Sequence, residues 1–335
     1  MNNETKLNKS ELLKTPLTLN ISRNETIEKV KSNEYSLNSN QKINNIRLIE
    51  VNYSLKEGEY ITDGIKVIKY LFQSQNSKYY LANIEEINQN VLIKAFPYDL
   101  DEPKDEELIN TLYQDIDKVC QFYNDNILSY YELIMLENEK KALIIMENIP
   151  EAQTLSVYLH TFNKYNMKPK GLKPFQIKTI IQGILKGLSF LHANNIIHMQ
   201  LNPKNILVDK DLKVVKITDY LMRTNEFDVT NYPYYSSPEL CFNKAISPKT
   251  DIWNVGCILF EIFTGYQPYG VMKSIDPLFT ISQCISPIEA ADDDIKDFIY
   301  NRKNRIVLDF LNKCFRPNES TRPSVDDLLT HKMLE

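Results

Sequence analysis

Glycine is scarce in this chain and missing from one long stretch of it. The 335 residues include 8 glycines, about 2%, where soluble proteins average roughly 7%. None of them lies between residues 65 and 170. That stretch therefore lacks the glycine-rich turn whose backbone N–H groups cradle a phosphate.

Long apolar runs are lacking as well. Hydrophobic residues make up 43% of the chain and charged residues 25%, yet no apolar run approaches the roughly 18–20 residues that span a bilayer. The first residues contain no apolar core of a secretory signal, and Asn2 stands where N-myristoylation requires glycine. We expect a globular, cytoplasmic protein with no membrane partner.

Paired cysteines and basic clusters are also lacking. The five cysteines are odd in number and include no C-x-x-C pair, which argues against a disulfide framework or a zinc site and favours buried thiols. Lys and Arg number 39 and Asp and Glu 44, a net charge of −5 with both signs spread along the chain. We therefore expect no nucleic acid partner.

Composition divides the chain into two parts. Residues 1–60 are rich in Asn, Ser, Lys and Glu and keep no clear apolar period, which predicts a flexible extension to which no fold is assigned. Residues 61–335 have the pattern of a folded domain, and the length suffices for two lobes with separate cores.

Strand-like runs come first in this domain, and helical patterns follow. Between residues 66 and 146 short runs rich in Val, Ile, Leu and Tyr predict strands, interrupted by one helix that begins near Pro103. After Pro150 apolar residues recur at three- and four-residue steps. We predict an α+β fold, with a small antiparallel β-sheet lobe at 61–149 carrying one main helix and a larger α-helical lobe at 150–335.

Five short motifs in the second lobe resemble those of protein kinases, in the same order and at fitting spacing. They are HMQLNPKNIL at 198–207 for the catalytic loop HRDLKPxNIL, KITDYL at 216–221 for the metal-binding DFG, SPE at 237–239 for APE, DIWNVG at 251–256 for DxWSxG, and TRP at 321–323 for the late RP motif. Residues 66–335 thus resemble a eukaryotic Ser/Thr protein kinase, which implies a bilobal kinase fold.

The resemblance implies structural roles for four residues of the second lobe. Glu239 and Arg322 are expected to form a buried ion pair, and Asp251 to hold the backbone of the catalytic loop that begins at His198. Because these residues support the fold rather than the chemistry, their presence predicts an intact helical lobe.

A residual nucleotide site is the next expectation that follows from the resemblance. Lys94 matches the lysine that contacts the α- and β-phosphates, and Asp115 stands where the helix glutamate would pair with it. Asn205 and Asp219 match the two ligands of Mg²⁺, a cation that prefers such hard oxygen atoms. ATP and Mg²⁺ are left open as ligands, and no cofactor is required.

Two features of the first lobe argue against normal nucleotide binding. Phe72, Ser74 and Ser77 stand where the family has the glycines of its phosphate loop. Tyr79 and Leu92 stand where the family has small residues against the adenine ring. We expect these two side chains to fill part of the adenine pocket, since overpacking of that size typically costs about 1–3 kcal/mol.

The catalytic groups are replaced within one loop. Gln200 stands where the family has the Asp that accepts the substrate proton, and a carboxamide cannot serve as a general base, a role worth roughly 10²–10⁴ in rate. Asn202 stands where the family has the Lys that steadies the transferred phosphate. Met199, Tyr220 and Leu221 replace the Arg, Phe and Gly of regulated kinases, which predicts a fixed segment.

Three hypotheses remain open from the sequence. The first is a catalytically inactive kinase-like protein, a pseudokinase, that acts as a scaffold or allosteric regulator of a signalling partner such as an active kinase. The second is an atypical or low-activity Ser/Thr protein kinase that uses ATP. The third is another transfer chemistry on the same scaffold, which only the retained Lys94, Asn205 and Asp219 favour.

Overall fold

Two compact units make up the part of the chain that can be described. Of the described residues, those up to 123 and those from 129 to 149 form the N-terminal unit, and those from 124 to 128 and from 150 to 335 form the C-terminal unit. A computed structural model describes residues 46–49, 55–62, 64–74, 77–99, 101–136, 139–163, 171–221, 233–242, 246–270 and 276–335.

A seven-stranded sheet forms the N-terminal unit. Its strands lie in the order β1-β6-β7-β5-β4-β3-β2, and every pair is antiparallel except β1 with β6. Their bounds are β1 Ile46–Ile49, β2 Tyr60–Thr62, β3 Ile65–Gln73, β4 Lys78–Ile84, β5 Gln89–Pro97, β6 Tyr130–Leu136 and β7 Lys141–Glu147. The antiparallel sheet follows from the alternating and fully apolar runs in this part of the sequence.

The sheet begins earlier than the sequence predicted. Strand β1 lies inside residues 1–60, the segment to which no fold was assigned, and pairs in parallel with β6 from Ile46 opposite Leu133 to Ile49 opposite Leu136. A four-residue strand is too short to show a period, and the partner strand rather than local propensity supplies its hydrogen bonds. Strand β1 therefore lies before the boundary at residue 61, which stays a prediction, and residues 1–45 lie outside the described residues.

One main helix accompanies the sheet, as predicted. Helix α1, Pro103–Val119, has Pro at its first turn and buries Ile109, Leu112, Ile116 and Val119, which recur at three- and four-residue steps. The sheet has its own core, built from alternate residues of neighbouring strands such as Val67, Ala82 and Val91. The N-terminal unit thus has both predicted parts.

The C-terminal unit is mainly helical, and the predicted α+β fold class is confirmed. A small sheet joins β8 Gln153–Thr154, β9 Ile206–Val208 and β10 Val215–Ile217 in the order β10-β9-β8. Its α-helices are α2 Leu155–Asn163, α3 Pro174–Ala193, α4 Pro238–Cys241, α5 Pro248–Thr264, α6 Pro277–Ser282, α7 Pro287–Ala290, α8 Asp293–Ile299, α9 Arg305–Cys314 and α10 Val325–Leu329.

Helix α5 runs through the core of this unit. Ser247 caps its first turn by accepting a hydrogen bond from the backbone of Lys249, and Gly265 ends it in the left-handed conformation at φ 82°. Nearly every residue between these caps is buried, so the helix can place a charged side chain in the interior.

Two further observations concern membrane-spanning helices and the cysteines. Within the described residues, no helix combines the length and apolarity needed to cross a bilayer. Cys120, Cys257 and Cys314 are buried free thiols, as expected, whereas Cys241 and Cys284 are partly exposed.

Helix α3 approaches its neighbours closely at two glycines. A Cβ atom on Gly187 would lie 2.6 Å from the carbonyl oxygen of Asn126 and 2.9 Å from Cδ1 of Ile217, and one on Gly183 would lie 2.7 Å from Cβ of Val215. The backbone of Asn126 pairs with β10, since Ile217 donates to its carbonyl at 2.9 Å. Small residues on α3 therefore set how closely β10 and the loop before it can approach the helix.

The substitution Gly187→Ala tests this close approach. Alanine favours an isolated helix by roughly 0.5–1 kcal/mol, but overpacking against the Asn126 carbonyl should destabilise the chain by about 1–3 kcal/mol. Urea unfolding measures the difference, and Lys186→Ala at the adjacent exposed position is the control. Equal or greater stability for Gly187→Ala would show that the contact is not close.

Candidate functional site

Asp251 lies at the centre of the candidate site in the C-terminal unit. This residue of α5 is 0% exposed, and its carboxylate accepts hydrogen bonds from the backbone N–H groups of His198 at 2.9 Å and Met199 at 2.7 Å. The ring of His192 donates a third, at 2.7 Å. The expectation that Asp251 holds the catalytic-loop backbone is confirmed.

The backbone that Asp251 holds is strained. Met199 has φ 67°, in the left-handed region that costs an L-residue roughly 1–2 kcal/mol. Hydrogen bonds to a charged acceptor contribute about 1.5–3 kcal/mol, enough to offset this cost. The conformation of the loop therefore depends on a buried carboxylate outside it.

Within the loop, two asparagines bind one carbonyl group. The side-chain amides of Asn202 and Asn205 both donate to the backbone carbonyl of Gln200, at 2.8 and 3.0 Å. The other amide atom of Asn202, Oδ1, accepts from the backbone of Lys204 at 2.9 Å and caps the short 3-10 helix Pro203–Asn205. Asn202 is buried, so the residue that replaces the phosphate-steadying lysine serves the loop's own backbone.

A second set of bonds fixes the segment that carries Asp219. The ring of His198 donates to the carbonyl of Thr218 at 2.9 Å, and the backbone N–H of Thr218 donates to the carbonyl of Asn205 at 3.0 Å. Asp219 itself is half-buried and has φ 62°. These bonds bring Asp219 beside the loop, as the resemblance implied.

The two residues after Asp219 are enclosed in the same unit. Tyr220 and Leu221 are fully buried, and the hydroxyl of Tyr220 donates to the carbonyl of Leu128 at 2.6 Å. Leucine cannot rotate through the backbone conformations that glycine allows. This arrangement holds residues 220 and 221 in place, and residues 222–232 of the segment that the sequence predicts to be fixed lie outside the described residues.

Asn205 and Asp219 provide the right kinds of atom for Mg²⁺. The amide nitrogen of Asn205 donates to Gln200, which turns its Oδ1 away from that bond, and Asp219 provides a carboxylate. Hard oxygen atoms of this kind suit Mg²⁺. Among the described residues no group of three or more His, Cys, Asp or Glu side chains is arranged to hold a metal ion, so the pair would need a phosphate or water to complete its ligands.

The expected ion pair between Glu239 and Arg322 is confirmed. The guanidinium donates to the carboxylate through two parallel bonds of 2.6 and 2.9 Å, and both side chains are buried. Burial alone would raise the pKa of Glu239, but the hydrogen bonds and charge of Arg322 outweigh it and hold that pKa below its usual 4.5. Arg322 also donates to the carbonyls of Arg316 and Lys249.

The N-terminal unit contains the matched lysine. Lys94 on β5 is 6% exposed, and its Nζ lies 5.9 Å from the centre of the Tyr79 ring, on the neighbouring strand β4. A cation at this distance from an aromatic face is attracted by the ring. Asp115 lies half-buried on α1 of the same unit, and its ion pair with Lys94 stays a prediction.

The hairpin of β3 and β4 does not fit the role of a phosphate cradle. The ring of Phe72 stacks on the ring of Tyr79 with centres 4.5 Å apart and planes inclined by 17°. Ser74 donates its backbone N–H to the carbonyl of Ser77 at 2.8 Å, which closes the turn. Two aromatic rings thus stand where a glycine loop would expose N–H groups, and Leu92 is half-buried on the adjacent β5.

Comparison with known proteins decides the family. The family model described as the protein kinase domain matches residues 66–334, most of the chain. This chain belongs to the protein kinase domain family. The family model starts at β3 and therefore leaves β1 and β2 outside the matched part.

Three similar proteins are named as kinases of signalling pathways or as an inactive kinase. The kinase domain is 30% identical to MAP3K epsilon protein kinase 1 of Brassica napus over 233 residues, 68% of this chain and 16% of that protein. It is 27% identical to mitogen-activated protein kinase kinase kinase 5 of Arabidopsis thaliana over 260 residues, 72% and 32% of the two chains. It is 28% identical to a probable inactive serine/threonine-protein kinase of Dictyostelium discoideum over 246 residues, 69% and 19%.

The matched part therefore spans less than a third of the length of each of these relatives. Most of the length of each relative therefore lies outside the aligned part. The comparison shows the family of this domain and no more of the relatives' functions.

Three contacts of this kinase domain were not predicted from the sequence. The bond from His192 to Asp251 joins residues 59 apart, and one histidine near the end of a helix gives no signal of its partner. The stacking of Phe72 on Tyr79 depends on the register of the hairpin. The bond from Tyr220 to Leu128 could have been suspected only from the extra hydroxyl at a buried position.

The pH dependence of stability tests the buried pair. Because the folded-state pKa of Glu239 is lowered, its ionised form stabilises the fold at pH above about 4.5, and this contribution is lost as pH falls through the folded-state pKa. Glu239→Gln leaves Arg322 buried without a counter-charge and should cost about 3–5 kcal/mol at pH 7, with the difference shrinking only as the pH falls below about 4.5. Thermal unfolding from pH 7 down to about pH 3 measures it.

Glu261→Gln is the control for this experiment. Burial raises the pKa of Glu261 despite a hydrogen bond from Tyr235, so its ionisation costs stability as pH rises. The two variants should therefore change the pH profile in opposite directions. Parallel profiles would contradict the assigned charge of the Glu239 carboxylate.

Proposed function

We propose that this chain is a catalytically inactive protein kinase-like protein that acts by binding a signalling partner, as a scaffold or allosteric regulator. The observation that carries the proposal is the combination of an ordered catalytic loop with Gln200 and Asn202 at its two reactive positions. The frame around the loop is kept, while the groups that would act on a substrate are not.

The first missing group, at position 200, is the one that would accept the proton of the substrate hydroxyl. A kinase needs a group that accepts or orients the proton of the attacking hydroxyl, and a carboxamide has no accessible protonation at neutral pH. Gln200 is exposed, and its backbone carbonyl serves as the acceptor for Asn202 and Asn205. Within residues 198–207 there is no Asp or Glu that could take over the role.

The loss at Asn202 concerns charge on the transferred phosphate. Its two amide atoms are engaged by the backbone of Gln200 and Lys204, so the side chain is oriented into the loop. An uncharged, buried amide offers no electrostatic stabilisation to a developing anion. Both losses act on the same step, and restoring one alone would leave the other.

Nucleotide is not required in this proposal. The aromatic pair Phe72 and Tyr79 supports the view that the phosphate loop has been replaced, and Lys94 lies near the Tyr79 ring. Asn205 and Asp219 would hold Mg²⁺ and its ATP without the cradle that orients phosphates. Binding at such a site would serve stability rather than turnover.

The comparisons support a signalling context for the partner. Two relatives are named as kinases of MAP kinase pathways, and one as a probable inactive serine/threonine-protein kinase. A catalytically inactive member of this family that keeps the fold can still bind an active kinase or a substrate. We infer a protein partner in a signalling pathway, which such a pseudokinase would position or regulate.

A low-activity Ser/Thr kinase is the second candidate. The retention of Asn205 and Asp219, together with the loop geometry set by Asp251, favours it. It would require a displaced base and would depend on a metal held by Asp219. The two candidates therefore differ in whether Asp219 matters for function.

Complementation separates these candidates without knowledge of the partner. In cells that lack the chain and show a phenotype, we expect Gln200→Ala and Asp219→Asn to restore function as well as the original sequence. Asparagine is chosen at 219 because it tolerates the positive φ there. Glu239→Gln should restore function less well, because it lowers the folded fraction.

Protein levels measured by immunoblot are the control, since a variant that is degraded carries no information on binding. Loss of function for Asp219→Asn at a normal protein level would contradict the proposal and favour the kinase candidate.

A further inference from the structure

Among the described residues, no strand covers most of the outer edge of β3. Strand β2 pairs only with the start of β3, with Tyr60 opposite Lys66 and Thr62 opposite Ile65. Beyond Val67, which bonds to the backbone of residues 58 and 59, no strand of the described part of the chain pairs with residues 68–73 on that side. We call residues 68–73 the β3 edge. An open edge is a template for a further strand.

The β3 edge also exposes large apolar side chains in succession. Tyr70 is 51% exposed, Leu71 36% and Phe72 52%. Exposed large apolar residues scattered singly are normal. Here Tyr70 lies opposite Tyr80 and Phe72 opposite Tyr79, so the two exposed rings lie on opposite faces of the sheet and each face of the edge carries one of them. Natural edges are often protected by charge, proline or bulges. The β3 edge carries Lys69 and two irregularities in its pairing with β4, one between Val67 and Lys69 and one between Tyr70 and Phe72, but no proline, Asp or Glu.

The charge of this hairpin has one sign. The twenty residues from 65 to 84 contain Lys66, Lys69 and Lys78 and no Asp or Glu, although the whole chain has a net charge of −5. Lys69 and Lys78 are exposed and flank the apolar residues. The surface therefore complements a segment that carries both apolar and acidic side chains.

The β3 edge is held in place before any partner binds. Phe72 stacks on Tyr79, Tyr70 contacts Tyr80 edge to face with ring centres 5.6 Å apart, and the turn is closed by the bond from Ser74 to Ser77. A rigid surface loses less conformational entropy on association than a mobile one.

We propose that the β3 edge binds an extended, acidic and apolar segment of a partner protein, which adds to the sheet as a strand. Main-chain hydrogen bonds provide affinity, and alternate side chains of the segment meet Phe72 and Lys69 on one face of the sheet and Tyr70 on the other. The inference rests on the proposed function, since it names the surface through which the binding protein acts. In this chain the hairpin that normally covers a nucleotide would hold a peptide instead.

Two other occupants fit the same surface less well. An anionic membrane would suit the lysines and aromatic rings, but the open N–H and C=O groups of the edge would be left without partners in hydrocarbon. A second copy of the chain would bring the same three lysines to the interface, where like charges repel. Both occupants are outcomes of the test.

The test uses the full chain and a fluorescent peptide of sequence Glu-Val-Glu-Val-Glu-Val. Anisotropy should show saturable binding, with binding of the matched peptide Lys-Val-Lys-Val-Lys-Val about tenfold weaker or more. The acidic peptide with N-methylated alternate residues should not bind, because it cannot form strand hydrogen bonds. Hydrogen exchange of the β3 edge should slow when the acidic peptide is bound.

Substitutions at single positions show where on the chain the acidic peptide binds. Leu71→Glu and Lys69→Glu should each weaken the acidic peptide about tenfold, since they put negative charge on the surface. Phe175→Glu and Arg302→Glu, at exposed positions of the C-terminal unit, are the matched controls and should leave binding unchanged. Both edge positions are exposed, so a thermal unfolding curve will confirm that the variants fold.

Several results would overturn the proposal. They are equal binding of the acidic and basic peptides, binding that Leu71→Glu does not alter, uptake by phosphatidylserine vesicles in place of the peptide, and self-association that Leu71→Glu abolishes. None of these bears on the lack of catalysis, because the β3 edge contains neither Gln200 nor Asn202. Conversely, catalytic turnover would refute the proposed function while leaving peptide binding as it is.

Discussion

The buried carboxylate of Asp251 is the interaction on which the candidate site depends. Three donors converge on it from two segments of the chain, and through Met199 it stabilises a backbone conformation that would otherwise be strained. The positions of Gln200, Asn202 and Asn205 follow from that conformation. Removing a buried charge that satisfies several donors leaves all of them without a partner. Any other arrangement of the loop is therefore higher in free energy.

The same frame explains how the proposed pseudokinase would keep a kinase fold without kinase chemistry. Asp251, Glu239 and Arg322 stabilise the C-terminal unit through contacts that never involve a substrate. The residues that would touch the transferred phosphate lie on the loop surface or serve its backbone, as Asn202 does. Selection for a stable binding protein would retain the first group and permit changes in the second.

Motifs predicted more of the fold and site than patterning did. The pair of Glu239 and Arg322 and the role of Asp251 were implied by the resemblance to protein kinases, whose motifs identify residues that meet although they lie far apart in sequence. Strand β1 and the stacking of Phe72 on Tyr79 did not follow, since both depend on which strands become neighbours and in what register. The contact of His192 with Asp251 required the packing of α3 against α5.

The most direct test of catalytic incompetence is phosphoryl transfer measured with homogeneous protein. The purified chain would be incubated with Mg²⁺, labelled ATP and a general protein substrate, beside Asp219→Asn and an active kinase. The account predicts that labelling by the original sequence does not exceed that by Asp219→Asn. Labelling that depends on metal, persists in Gln200→Ala and disappears in Asp219→Asn would contradict it.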